Sequence, residues 1–225
     1  PTIVFPDADV DAAIAGAASA IFFNHGQCCC AGSRLLAHEK IFDQVTEGIA
    51  KIASNIKVGP GMDTTSEMGP LVSNEQYEKV SSYIEAGKSE GGEIVAGGKY
   101  DNSSGGHFVH PTVFAKTNTD MSIVKEEIFG PVLCAQPFSD QDLDKIADAA
   151  NNTSFGLAAS VWSKDISTAH KLASKIRAGT VWVNCHNIFD ASLPFGGYKE
   201  SGWGREMGHE VLHAYTELKA VTVNL

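Results

Sequence analysis

Short apolar runs alternate with helical patterns along most of these 225 residues, and that alternation constrains the fold more than any other feature. Residues 2–5, 33–37, 93–96, 108–114, 132–138, 158–162 and 180–184 read as strands. Residues 8–22, 41–56, 75–89, 140–151 and 166–178 keep the 3.6-residue spacing of amphipathic helices. In the first of these helices Val10, Ile14, Ala17, Ala18, Ile21 and Phe22 fall on one face, and Asn24 and Gly26 end it by tolerating left-handed backbone. Ser139 or Asp140 is the expected cap of the fourth. Strands interleaved with helices of this length predict an α/β layer fold with a largely parallel sheet. Residues 59–70 and the Gly-, Ser- and Asn-rich 97–106 read as loops. Residues 215–225 alternate loosely with no helix after them, the pattern of an unpaired strand that completes a sheet in the same chain or in a partner.

Composition removes several classes of function. No apolar run reaches the roughly 18 residues a membrane span needs. Lys and Arg total 17 against 27 Asp and Glu, with no basic stripe, which argues against nucleic acid as a partner. Cys28, Cys29, Cys30, Cys134 and Cys185 make an odd set with three members contiguous, which is no disulfide framework, and no C-x-x-C spacing offers a zinc clip. The eight histidines show no metal-ligand spacing either. A reducing compartment, the cytoplasm, is the expected location, and no signal or transit segment is visible. Pro1 has no initiator Met before it and leads straight into an interior-type strand, so the chain reads as a piece of a longer protein.

Chemistry concentrates in three segments. Phe22 to Arg34 reads F-F-N-H-G-Q-C-C-C-A-G-S-R and sets three thiols at a chain reversal. Alternate side chains of an extended turn face opposite ways, so Cys28 and Cys30 point together and Cys29 points apart as the candidate nucleophile. Backbone amides at such a turn can hold an oxyanion. The competing reading is three small thiols filling space. In the second segment, Glu126-Glu127-Ile128-Phe129-Gly130-Pro131, carboxylates stand where they could hold a ribose diol, or simply form a solvated loop. Residues 193–205 hold four glycines with Phe195, Tyr198 and Trp203, a density that implies tight turns or close backbone approach. Asn184 to Phe189, at a strand's carboxyl edge, is plausible pocket lining.

Together these segments resemble the aldehyde dehydrogenase superfamily. P-D-A-D-V-D, F-F-N-H-G-Q-C-C-C-A-G-S-R, G-P-L-V, H-P-T-V-F, K-E-E-I-F-G-P-V, N-N-T-S-F-G-L-A-A-S-V-W, A-G-T-V-W-V-N and P-F-G-G-Y-K-E-S-G-W-G-R-E occur in that family's order and spacing. The resemblance implies a Rossmann-like open, twisted, largely parallel sheet with flanking helices, followed by a C-terminal oligomerisation strand. It implies that Cys29 attacks an aldehyde, that hydride passes from the thiohemiacetal to NAD (NADP being the alternative), and that water releases a carboxylic acid. Glu127 and Phe129 match the pair that holds the nicotinamide ribose and packs near the ring, and Gln76 falls near a further ribose contact. Cys30, Asn187, Phe189 and Phe195 match the substrate tunnel, with Phe23 and Trp162 as further aromatic candidates. Residues 1–200 correspond to the catalytic domain in the C-terminal half of the family's chain, and 201–225 to the tail.

The family's general-base Glu, in an E-L-G-G-K motif, its oxyanion-hole Asn and its dinucleotide-binding domain are not matched in this sequence. The chain by itself is therefore expected to lack cofactor-dependent turnover, while the parent is an aldehyde-oxidising homodimer or homotetramer. Two other readings are a non-enzymatic structural protein on the same fold, as in lens relatives, and a thiol hydrolase pairing Cys29 with His25.

Overall fold

The computed structural model describes residues 1–103, 105–139 and 142–225. The chain opens with β1 (Thr2–Val4), α1 (Val10–Phe22), β2 (Arg34–His38), α2 (Phe42–Asn55) and α3 (Asn74–Ser89). β3 (Glu93–Ala96), β4 (Tyr100–Asp101), β5 (Phe108–Val109), β6 (Thr112–Ala115), α4 (Ser122–Lys125) and β7 (Val132–Phe138) follow. The last third holds α5 (Leu143–Asn151), β8 (Phe155–Gly156), β9 (Ala158–Trp162), α6 (Ile166–Lys175), β10 (Thr180–Val183), β11 (Tyr198–Lys199) and α7 (Val211–Tyr215).

Seven strands form one sheet in the order β10-β9-β1-β2-β7-β6-β3. Every pairing is parallel except that of the edge strand β3, which runs antiparallel to β6. Alternation of side chains across a strand decides which layer each residue joins. Leu35 and Ala37 of β2 pack with α1 and α2, whereas Leu36 between them packs with α5 and α6. Val45 and Ile49 of α2 are wholly buried against that first layer. Each contributes about 1.5–3 kcal/mol through removal from water. A third cluster joins α3 and α4 to β6 and β7 through Val80, Ile84, Phe114 and Ile123. The expected open, largely parallel sheet with helices on both faces is what the chain forms.

The helices start where capping residues allow. Asp9 accepts from the Ala12 N–H to open α1, Ser73 from the Gln76 N–H to open α3, and Asp165 from the Ser167 N–H to open α6. α5 begins at Leu143 behind Asp142, so Ser139 is not its cap, and Asp140 lies outside the described residues. Position 104 of the 97–106 loop also lies outside them.

Four differences from the sequence reading have physical causes. The strand expected over 108–114 is two strands, because Pro111 has no N–H to continue a ladder. β5 pairs with β4 in a small hairpin inside the expected loop, and β6 joins the main sheet. α4, a single turn, is too short to show a period. α6 stops at Lys175, where Ile176 turns extended and the Arg177 N–H is taken by Asn151 Oδ1. The strand expected over 215–225 is not in any sheet of the described residues: α7 ends at Tyr215 and 216–225 is irregular and exposed.

Candidate active site

α1 ends in three consecutive left-handed residues, Asn24 (φ 49°), His25 (φ 62°) and Gly26 (φ 66°), which reverse the chain into the cysteines. Side chains hold the reversal to its neighbours. Asn24 Nδ2 donates to the Gln27 carbonyl at 2.8 Å, His25 Nε2 accepts from the Gly69 N–H at 2.9 Å, and Gln27 Oε1 accepts from the Val72 N–H at 3.1 Å. Gly26 lies so close to the second segment that a Cβ there would stand 2.1 Å from the Gly130 carbonyl oxygen. That contact brings two stretches a hundred residues apart in sequence into one cleft. Cys28, Cys29, Cys30, Glu126, Glu127 and Phe129 all line it.

Within the turn, Cys28 Sγ and Cys30 Sγ lie 3.4 Å apart on one side. Cys30 is buried and Cys28 half-buried, whereas Cys29 is exposed. The alternation expected of an extended turn is therefore present. Burial first, and then the contact with Cys28, push the Cys30 thiol up to about 12, so it stays protonated at neutral pH. It donates to Asn187 Oδ1 at 3.1 Å. Neither the Cys29 nor the Cys30 N–H donates a hydrogen bond within the described residues.

The two carboxylates differ in the same way as the thiols. Glu126 accepts from the Tyr83 hydroxyl at 2.7 Å, while Glu127 is exposed and has no hydrogen-bond or ion-pair partner among the described residues. Phe129 sits in left-handed backbone at φ 57°, a conformation a bulky residue holds only under outside constraint. Gln76 of α3 supplies that constraint, since its Nε2 donates to the Ile128 and Phe129 carbonyls at 3.1 and 2.7 Å. The expected ribose contact at Gln76 is thus reduced to its remaining Oε1, because its NH2 group is spent on the turn.

A further segment, beyond β10, meets Cys30 from behind the cleft lining. Left-handed Asn184 and Asn187 fold residues 184–189 back from the strand's end, so that His186 and Asn187 both reach Cys30. Trp182 Nε1 donates to the Ile188 carbonyl at 2.7 Å and its ring meets Phe189 edge-on with centroids 5.5 Å apart. Phe189 meets Phe195 at 5.3 Å, also edge-on. Phe189 and Phe195, both expected at the substrate tunnel, are in contact, and Trp182 joins them, a contact the sequence reading did not anticipate. Trp162 belongs elsewhere, buried against Gly16 of α1 in the core, and Phe23 is exposed and not among the residues lining the cleft. His25 does not serve Cys29 as a base: its Nε2 is occupied by Gly69 and its Nδ1 is buried without a partner. Among the described residues no group of three or more His, Cys, Asp or Glu could hold a metal ion, and no helix is long and apolar enough to cross a membrane.

Residues 1–221 match the model of the aldehyde dehydrogenase family, so the chain belongs to that family. Over its whole length it is 49% identical to a putative aldehyde dehydrogenase, DhaS, of Bacillus subtilis and 46% identical to the human mitochondrial aldehyde dehydrogenase. It covers 45% and 43% of those two proteins. A solved structure of an aldehyde dehydrogenase from Bacillus cereus in complex with NAD+ superposes on all of this chain with a TM-score of 0.95 at 50% identity, and the chain covers 45% of it. The chain thus spans less than half the length of these relatives.

Proposed function

We propose that this chain supplies the nucleophile, the substrate tunnel and part of the cofactor site of an NAD-dependent aldehyde dehydrogenase. Cys29 Sγ attacks the aldehyde carbon, and the carbonyl oxygen becomes an alkoxide that the unspent N–H groups of the turn can receive. Trp182, Phe189 and Phe195 form an aromatic wall suited to the apolar part of the substrate. Glu127 carries a free carboxylate, and the strained Phe129 an aromatic ring, on the same cleft as Cys29, a donor set that fits a nicotinamide ribose and ring. When bound, NAD supplies the acceptor for the hydride whose departure leaves Cys29 as a thioester. Hydrolysis by water then frees the carboxylic acid and the thiol. Residues 1–200 act as the catalytic unit and 201–225 as a tail toward an oligomer sheet. The dinucleotide-binding part and the general base belong to the length of the relatives that this chain does not span.

The observation that carries this reading is a single exposed thiol, flanked by two less exposed ones paired with each other, on the same cleft as a free carboxylate. The test is aldehyde-dependent NADH formation by the protein that contains this chain together with the relatives' remaining length. Turnover is expected there and absent from residues 1–225 alone. A full-length protein that binds NAD yet oxidises no aliphatic or aryl aldehyde would overturn it.

A further inference from the structure

His186 touches neither the thiol of Cys29 nor any group of the Glu127–Phe129 wall, yet it is hydrogen-bonded on both ring nitrogens. We infer that His186 is a positioning residue for the nucleophile: its Nε2–H fixes the Cys30 carbonyl, and with it the turn that presents Cys29. The inference rests on the reading of Cys29 as the nucleophile.

Proton bookkeeping sets the direction of the contacts. Nε2 lies 2.9 Å from the Cys30 carbonyl oxygen, and a carbonyl only accepts, so Nε2 carries the proton. Nδ1, 3.0 Å from Ser160 Oγ, is then the acceptor and takes the serine proton. Ser160 Oγ accepts from Trp162 Nε1 at 3.3 Å, and its one hydroxyl proton is shared between His186 Nδ1 and Thr2 Oγ1, the latter also at 3.3 Å. Ser160 thus ties His186 to the paired strands β1 and β9, and His186 ties them to Cys30. Thr2 and Ser160 are directly opposite each other on paired central strands and are wholly buried, which makes the far end of these contacts rigid. Trp182 packs on the imidazole at 4.6 Å between centroids. Burial brings the ring down to about 4, so it is neutral at neutral pH and keeps the tautomer these contacts require.

The neighbouring Asn187 completes the grip. Its Oδ1 takes the Cys30 thiol proton at 3.1 Å, so consecutive residues of one loop hold Cys30 by backbone and by side chain. With Cys30 fixed on the Cys28 side, Cys29 is left as the exposed thiol of the three.

The experiment uses the full-length enzyme, with two substitutions compared. His186→Leu fills the space without donating, and is expected to lower kcat and the iodoacetamide alkylation rate at Cys29 by about 10- to 100-fold, with KM changed less than about twofold. His186→Gln keeps an N–H that reaches Cys30 and is expected to recover most of both rates. Ser160→Ala, which frees the tautomer, falls between them and adds nothing further on top of His186→Leu. If His186→Leu does not fold, His186→Gln against Ser160→Ala carries the comparison. Wild-type rates in His186→Leu, or a His186→Gln as impaired as His186→Leu, would overturn the assignment. Slower alkylation at Cys29 in a protein that oxidises no aldehyde would uphold the positioning role while the proposed activity fails.

Discussion

The turn before β2 and the strand β7 place the same side chain in opposite circumstances. Cys134 of β7 lies opposite Arg34 in the parallel register, is buried, and gives its proton to the Ile123 carbonyl at 3.2 Å. Burial pushes its thiol up to about 12. Cys29 is exposed, with every nearby polar tie made by its neighbours: Asn24, His25 and Gln27 before it, Cys30 after it. A strand uses a cysteine as a small apolar filler. A turn anchored on both sides of one residue leaves that residue's side chain and N–H free for a ligand. On the proposed reading, what sets Cys29 apart is how its flanks are tied down, not the thiol itself.

The strongest way to break this contrast is to remove each thiol in turn. Cys29→Ala is expected to lower turnover of the full-length enzyme by about 10³-fold or more, read as NADH formation. Cys134→Ala should leave labelling of Cys29 unchanged by peptide mapping and lower stability by about 1–2 kcal/mol in urea. Next comes the anchor itself. Gly26→Ala meets both a left-handed φ and the Gly130 carbonyl, and should cost about 3 kcal/mol while exposing Cys28 and Cys30 to alkylation. Unchanged labelling in that variant would show that the turn does not depend on the contact. Gln76→Leu removes the donor to two carbonyls, costs about 1–3 kcal/mol, and should weaken NAD binding in a titration of the full-length enzyme.

The smallest effect is alkaline. The Cys134 thiol holds its proton up to about 12 in the folded state, against 9.0 for a free thiol. Between those values the folded state binds more protons than the unfolded one, so stability falls as pH rises from about 9 toward 12. Cys134→Ala should show a shallower loss over that window in thermal melts, and an identical slope would remove Cys134 from the account.

Much of this architecture is legible in the sequence because it rests on local periodicity and capping. The helices over Val10–Phe22, Phe42–Asn55 and Asn74–Ser89 lie within two residues of their expected bounds. Segments that depend on pairing are less legible. Proline at 111 divides a run that looks continuous, and residues 216–225 alternate without joining any strand of the described residues. The site divides likewise. The opposed directions of Cys28 and Cys29 follow from the backbone alone. The contacts of His186 and the Gln76 amide depend on which distant carbonyl each one meets, and no spacing within the sequence encodes that.

The chain's three tryptophans make that architecture visible to light. Trp162 and Trp182 are buried, and Trp203 is 97% exposed. Trp203→Phe therefore leaves emission from shielded indoles only, one in the core and one whose ring touches both His186 and Phe189. A quencher dissolved in the buffer reaches neither directly, so a change in that spectrum when an aldehyde is added reports, without a label, from the aromatic cluster at Trp182 or from Trp162, which is tied to it through Ser160 and His186.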